Sequence, residues 1–140
     1  MRYVFGLLMA LAVLAFAACG GDEGECAEPA ADVTGEWRID ATPITDTCGG
    51  SLAPYTFFIT AAQEGNDVTS ETPEGPMTGT ICGDQLRLSG SWTEAGVAQT
   101  VNLELTVSID GNSAEGSDTW TWADGTRSCG GSESLSATRV

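Results

Sequence analysis

The sequence predicts an all-β domain, an eight-stranded antiparallel up-and-down β-barrel that follows an N-terminal export signal. Two observations predict the strands. Short segments of alternating apolar and polar residues follow one another from about residue 34 onward, and turn-forming residues separate them. No stretch has the periodicity of a long amphipathic helix. A third observation predicts closure: the segments have one polar face, and a sheet of this kind loses its exposed edges when it closes into a barrel.

Strands are predicted wherever the alternation is visible, over residues 34–42, 55–63, 67–71, 77–82, 85–92, 98–109, 113–122 and 133–139. The sixth segment shows the pattern most clearly. Its apolar positions run from Val101 to Ile109, with a polar residue between each pair. One face of this strand is therefore predicted to lie in the core. The same alternation places Trp37 and Trp92 on the core faces of their strands.

Tight turns are predicted between most of these strands. The connections are short and rich in Gly, Asn, Asp and Pro, as in Glu64-Gly65-Asn66, Thr72-Pro73-Glu74-Gly75-Pro76, Gly83-Asp84, Glu94-Ala95-Gly96, Asp110-Gly111-Asn112 and Asp124-Gly125. These residue types supply the backbone geometry of hairpin turns. Neighbouring strands should therefore pair in the order in which they follow along the chain.

The first 18 residues are predicted to be a signal peptide. Arg2 is the only charge before an apolar stretch from Tyr3 to Ala18, and small residues directly precede Cys19. A cysteine at this point resembles the lipobox of bacterial lipoproteins, although Phe16 stands where that motif usually has an aliphatic residue. The resemblance implies that Cys19 is acylated and becomes the first residue of the mature chain. The alternatives are a plain signal peptide and a transmembrane helix, for which the stretch is short of ~20 residues.

Residues 19–32 are predicted to form a lipidated flexible tether, and residues 33–140 the barrel domain. The tether consists mostly of Gly, Ala, Asp, Glu and Pro, without apolar periodicity. The lipobox resemblance implies a first expected partner, the lipid bilayer of a bacterial cell envelope, through acylated Cys19. Gly20 after that cysteine resembles the sorting pattern of outer-membrane lipoproteins, which implies an outer-membrane location, facing the periplasm or the cell surface.

The composition excludes several classes of function. The chain has 20 acidic and five basic residues, and its formal net charge of −15 would repel nucleic acid. Acidic residues scattered singly are typical of a solvated surface. The chain contains neither histidine nor lysine, which excludes a Ser-His-Asp triad, an imidazole metal site and a lysine nucleophile. No carboxylate pair stands in a recognisable motif, so we expect neither an enzyme nor a cofactor or metal.

Four cysteines remain after the lipidation site, namely Cys26, Cys48, Cys82 and Cys129. An even number in an exported chain favours two disulfides, for which three connectivities exist. The alternative is a zinc site with four thiolate ligands. Such sites draw their ligands in closely spaced pairs, and these cysteines are widely separated.

Both ends of the predicted barrel domain resemble those of a known family. Gly35-Glu36-Trp37 opens the first strand and Arg139 closes the last, which resembles the Gly-x-Trp motif and terminal arginine of lipocalins and related small barrels. The resemblance covers about residues 33–140 and implies that the arginine packs over the tryptophan and closes one end of the barrel. On the residues alone, Trp37 could equally be an ordinary core residue and Arg139 a charged tail.

The order of strands in such a barrel selects one disulfide connectivity. Odd strands run one way and even strands return, so Cys48 and Cys129 fall at one end, beside the seam between the first and last strands. Cys26 and Cys82 fall at the opposite end. Cys48–Cys129 and Cys26–Cys82 are therefore the predicted bonds.

Three tryptophans near one opening indicate a ligand site. Trp92, Trp120 and Trp122 end their strands at the end of the barrel that also carries the longest loop, residues 43–54. Asp118 shares the parity of Trp120 and is predicted to point inward with it. Aromatic walls with a few polar groups are typical of small-molecule pockets. The alternative is that these tryptophans fill a small barrel completely and that Asp118 faces water.

These observations favour a membrane-anchored, non-catalytic binding module for a small apolar or amphipathic ligand. A cationic or hydroxyl-bearing ligand could partner a buried Asp118. The alternative is a protein-interaction barrel that uses its open-end loops. Envelope barrels of similar design include protease and lysozyme inhibitors, so an envelope protein is the second candidate partner.

Overall fold

Eight antiparallel strands close into a barrel in the computed structural model, which describes residues 25–140. The strands are β1 (Gly35–Asp46), β2 (Tyr55–Glu64), β3 (Asp67–Glu71), β4 (Pro76–Cys82), β5 (Gln85–Glu94), β6 (Val97–Val107), β7 (Ser113–Ala123) and β8 (Ser128–Arg139). Each strand pairs with the next, and β8 pairs with β1. The predicted fold class is confirmed. The predicted signal peptide and Cys19 lie outside the described residues.

The seam between β1 and β8 is longer than the sequence predicts. It runs from the pair Trp37 and Arg139 to the pair Asp46 and Gly131, with an irregularity after Pro43, which has no N–H for the ladder. The sequence predicts that β8 begins only at residue 133, because Gly130-Gly131 has the composition of a turn. A Cβ on Gly131 would lie 2.4 Å from the Thr45 carbonyl oxygen, so glycine serves here for close strand packing.

The expectation that Ile109 continues the core face of β6 is wrong. The strand ends at Val107, and Ile109 is 89% exposed. The chain reverses here because the Gly111 N–H donates to the Ser108 carbonyl at 2.9 Å. Asp110 accepts a hydrogen bond from the Ser108 hydroxyl, which favours the turn over one more strand residue.

The interior of the barrel is filled in the half where β1 begins, here called the closed end. Its side chains are apolar and at most 5% exposed, and they include Trp37, Ile39, Ile59, Leu86, Leu105 and Ala137. The void remaining among them is about 10 Å³, no more than a single water needs. This half is the hydrophobic core of the domain.

Arg139 seals the closed end, in the arrangement that the resemblance to lipocalins implies. Its guanidinium carbon lies 4.9 Å from the centre of the Trp37 ring. Its Nε donates to the Gly111 carbonyl at 2.9 Å, and its two terminal nitrogens donate to the carbonyls of Asp32 and Thr34. One side chain thus joins both ends of the barrel domain to the β6–β7 turn. The closed barrel is compatible with a lipocalin-like fold.

The last residues of the predicted tether lie against the closed end. The Ala30 N–H donates to the Gly83 carbonyl at 2.8 Å, and the Gly83 N–H donates to the Ala27 carbonyl at 3.1 Å. Val33 is 1% exposed and accepts a hydrogen bond from the Trp37 indole at 2.9 Å. The chain from residue 26 onward is therefore docked on the barrel.

Both predicted disulfides are confirmed. Cys26 bonds to Cys82 at the closed end, and Cys48 bonds to Cys129 at the other end, here called the open end. The sequence separations are 56 and 81 residues. The open-end bond joins the β1–β2 loop to β8, so it ties that loop to the seam. No helix among residues 25–140 is long and apolar enough to cross a membrane.

Candidate functional site

A cavity of about 330 Å³ occupies the open end of the barrel. Five aromatic side chains form much of its wall: Tyr55, Phe57, Trp92, Trp120 and Trp122. The rings of Tyr55 and Phe57 stack with their centres 5.9 Å apart. Pockets of about 300 Å³ and above with aromatic walls accommodate small organic molecules. The barrel is therefore filled in one half and hollow in the other, and the tryptophans that could have filled it line the hollow half.

All four predicted ligand-site residues, Trp92, Asp118, Trp120 and Trp122, line this cavity. Alternate residues of β7 point inward, which places Asp118, Trp120 and Trp122 in the cavity wall. The same alternation in β5 places Trp92 there. Glycine makes room for Trp92, because a Cβ on Gly90 would lie 2.8 Å from its ring. Trp122 also faces a groove outside the mouth, where the Arg127 guanidinium lies 5.8 Å from its ring centre.

Acidic side chains form the polar part of the wall. Asp118 and Glu133 are paired across β7 and β8, and they are only 7% and 4% exposed. The Tyr55 hydroxyl donates to Glu133 Oε2 at 2.6 Å. Glu74 and Asp46 complete the set of carboxyl groups, and none of residues 25–140 that line the cavity is basic. The expectation that the acids are solvated therefore fails for the two most deeply buried ones.

Two buried polar atoms of wall residues have no hydrogen-bond partner among the described residues. These atoms are Oδ1 of Asp118 and Nε1 of Trp92. An unsatisfied buried polar group typically costs about 1–3 kcal/mol, and more when it is charged. Such groups mark positions where a ligand atom or a water would be stabilised.

Burial raises the pKa of Asp118 from its ordinary 3.8 to about 7, and the neighbouring carboxyl groups of Glu133 and Glu74 add to the effect. Burial also raises the pKa of Tyr55, whose hydroxyl is further held in its neutral form by donation to Glu133. Near neutral pH the Asp118 carboxyl thus stands between its two protonation states. A charged group entering the cavity would decide which state it adopts.

The cavity is also lined by Glu133, Tyr55 and Glu74, which the sequence patterns do not single out. For Glu133 a signal exists: it has the same parity as Leu135 and Ala137 in β8, so the alternation places it inward. Tyr55 likewise stands two residues before Phe57 at the start of β2. Glu74 lies in the β3–β4 connection, where no periodicity applies, and only the closure of the barrel brings it to the cavity.

We expect Asp118→Asn to stabilise the protein at alkaline pH and to have little effect near pH 4. A carboxyl group with a raised folded-state pKa contributes stability that is present below the unfolded pKa of 3.8 and lost as pH rises toward about 7. The full difference corresponds to ~4 kcal/mol, and contact with water at the mouth should reduce it to about 2 kcal/mol at pH 8. Urea unfolding across this pH range measures it. If Asp118→Asn changed the free energy of unfolding by the same amount at every pH, that result would contradict a raised pKa for Asp118.

The wall combines aromatic rings with a few buried polar groups, a composition that is typical of pockets for small organic molecules. Among residues 25–140 no group of three or more Cys, Asp or Glu side chains is arranged to hold a metal ion. Comparison of the chain with protein-family models and with curated proteins found no match to either. The geometry of this site is therefore the basis for a functional proposal.

Proposed function

We infer that this protein is a non-catalytic binding module that holds a small amphipathic molecule in the open end of its barrel. The observation that carries the proposal is the cavity of about 330 Å³ in a barrel whose other half is solidly packed. A domain that needed only stability would gain about 25 cal/mol for each Å² of apolar surface buried by filling that space. Aromatic rings beside a few buried polar groups suit a ligand with an apolar body and a polar end.

The anchoring part of the proposal rests on the lipobox resemblance at Cys19. Acylation there would place the domain at a bacterial envelope membrane, as a lipoprotein of the wider barrel class to which lipocalins belong. The segment from residue 26 is docked at the closed end, so a membrane attachment preceding it would leave the mouth free for ligand. Mass spectrometry of the N-terminal peptide tests this point, because an unmodified Cys19 in the mature chain would exclude the anchor.

Binding of a neutral fluorescent dye, N-phenylnaphthylamine, to the purified full chain tests the cavity. We expect saturable binding that quenches tryptophan fluorescence. Val101→Phe should lower the affinity at least about tenfold, because Val101 lines the cavity and the added ring occupies it. Asn102→Phe is the matched control, since Asn102 is the next residue of β6 and points outward. Equal affinities of the two variants, or no binding at all, would contradict the proposal.

A second function, contact with an envelope protein, is favoured by the rim of the open end. Ile44 and Leu52 are 58% and 54% exposed there, and exposed apolar residues beside a mouth suit a protein partner. An inhibitor-type barrel would use this surface. Native mass spectrometry of the protein extracted from its membrane separates the two functions: a small added mass supports the first, and a bound polypeptide supports the second.

A further inference from the structure

We propose that the ligand of this cavity is an organic ammonium ion, a protonated amine carried on a small apolar body. The inference rests on the proposed function, because it names the chemical class that the cavity selects. Its basis is the pairing of two kinds of wall residue in one space: five aromatic rings and four carboxyl groups. In the part of the chain that the structure describes, no basic residue lines that space to neutralise the carboxyl groups internally.

Aromatic rings attract a cation through their negative faces. A cation within about 6 Å of a ring centre gains ~0.5–2 kcal/mol, with tryptophan the best partner. Three of the five rings here are tryptophans. Trp122 already has a cation over one face, because Arg127 lies 5.8 Å from its centre in the outer groove. The rings of the cavity therefore offer a similar contact to a ligand that carries its own positive charge.

Asp118 selects a ligand that has a hydrogen-bond donor as well as a positive charge. It is more than nine-tenths buried, and its Oδ1 accepts no hydrogen bond from residues 25–140. The neighbouring Glu133 is satisfied by Tyr55, which leaves Asp118 as the unpartnered member of the pair. An ammonium N–H would satisfy that oxygen with a charge-assisted hydrogen bond, the stronger kind. An anionic ligand would instead bring a further negative charge to this pair.

The net charge of the whole chain also favours a cationic ligand. Its formal net charge of −15 attracts cations toward the barrel and repels anions. A metal ion would neutralise the carboxylates, but it would gain little from the aromatic rings, because hard cations prefer many oxygen ligands. The combination of rings and carboxylates fits an ammonium group attached to carbon.

Binding of such a ligand is expected to depend on pH. The titratable groups that share the cavity with Asp118 are Glu133 of β8, Glu74 of the β3–β4 connection, Tyr55 of β2 and Asp46 of β1, while β6 contributes the uncharged Gln99 to the wall. The cation favours the ionised form of Asp118, so affinity should rise as pH increases through about 7. A simple amine remains protonated over this range, since its pKa is ~10 like that of lysine.

Three probes of nearly one shape test the inference on the purified full chain: phenethylamine, phenylethanol and phenylacetate, as cation, neutral molecule and anion. Calorimetric titration should show the amine binding at least about tenfold more tightly than the alcohol, with the acid weakest. Between about pH 6 and pH 8 the affinity for the amine should rise severalfold, while that for the alcohol stays constant. Equal affinity for the amine and the alcohol at pH 8 would overturn the proposal.

Matched variants separate a local contact from the general charge. Asp118→Asn should lower the affinity for the amine about tenfold and leave that for the alcohol within about twofold. Glu115→Gln removes one charge from the outer face of the same strand and should change neither. If both variants lowered the affinity for the amine equally, the preference for a cation would come from long-range charge alone. That result would overturn the proposed contact with Asp118.

The dye measurement keeps the two proposals apart. If N-phenylnaphthylamine binds in the cavity but the amine has no advantage over the alcohol, the ammonium inference fails and the binding module stands. If neither the dye nor any of the three probes binds, the proposed function fails together with the inference.

Discussion

Trp37→Ala is expected to lower the free energy of unfolding by about 3–5 kcal/mol. Trp37 is 4% exposed in the core of the closed end, and its indole N–H donates to the Val33 carbonyl. Its ring also supports the guanidinium of Arg139, which holds three separate backbone carbonyls. Removal of the ring leaves a cavity and frees the arginine at once. The free energy of unfolding of such domains is ~5–15 kcal/mol in total, so the variant should lose a large part of its stability.

Trp122→Ala is the matched control for this prediction. It deletes the same side chain, but from the rim of the open end, where Trp122 is only partly buried beside a cavity. The loss there should be under about 2 kcal/mol, because little packing is removed and no core void is created. Urea unfolding of both variants gives the comparison. If the two losses were equal, the closed end would not be the centre of stability.

Removal of the open-end disulfide by Cys48→Ala with Cys129→Ala should cost about 4–5 kcal/mol. The bond closes a sequence separation of 81 residues, which the chain-entropy account makes slightly more stabilising than the 56 residues closed by Cys26–Cys82. The two bonds differ more in their effect on binding. Cys48 and Cys129 border the groove beside Trp120, so loss of their bond should loosen the mouth and weaken dye binding severalfold.

The closed-end pair supplies the control. Cys26→Ala with Cys82→Ala should destabilise the protein by about 4 kcal/mol and leave dye affinity unchanged under conditions where both variants are folded. Thermal unfolding and dye titration measure the two effects. Identical changes in dye affinity would show that the rim is not held by its own disulfide.

Much of the fold follows from local patterns. Alternation and turn residues predict eight strands in their observed order, and strand direction alone then selects the disulfide pairing. The errors have local causes. Gly130-Gly131 resembles a turn but lies in β8, and Ile109 continues an alternation that the Ser108–Gly111 turn interrupts.

The candidate site was predictable only in part. Trp92 and Asp118 follow from parity, because each lies on a strand whose inward face is apolar. The pairing of Asp118 with Glu133, and the partner that Tyr55 supplies to Glu133, depend on the register between strands. Register over long β-hairpins and the size of a void depend on how the whole barrel closes, which no single segment encodes.

For the proposed binding module, the split between a solid half and a hollow half means that selectivity can change without loss of the fold. Substitutions around Trp92 or Asp118 alter what enters the barrel, while Trp37 and its neighbours continue to hold the strands together. Functional sites commonly sacrifice stability that the remaining structure must supply. A chain arranged in this way can give rise to variants with new ligands through a few changes at the mouth, so this barrel is a suitable scaffold for engineered receptors.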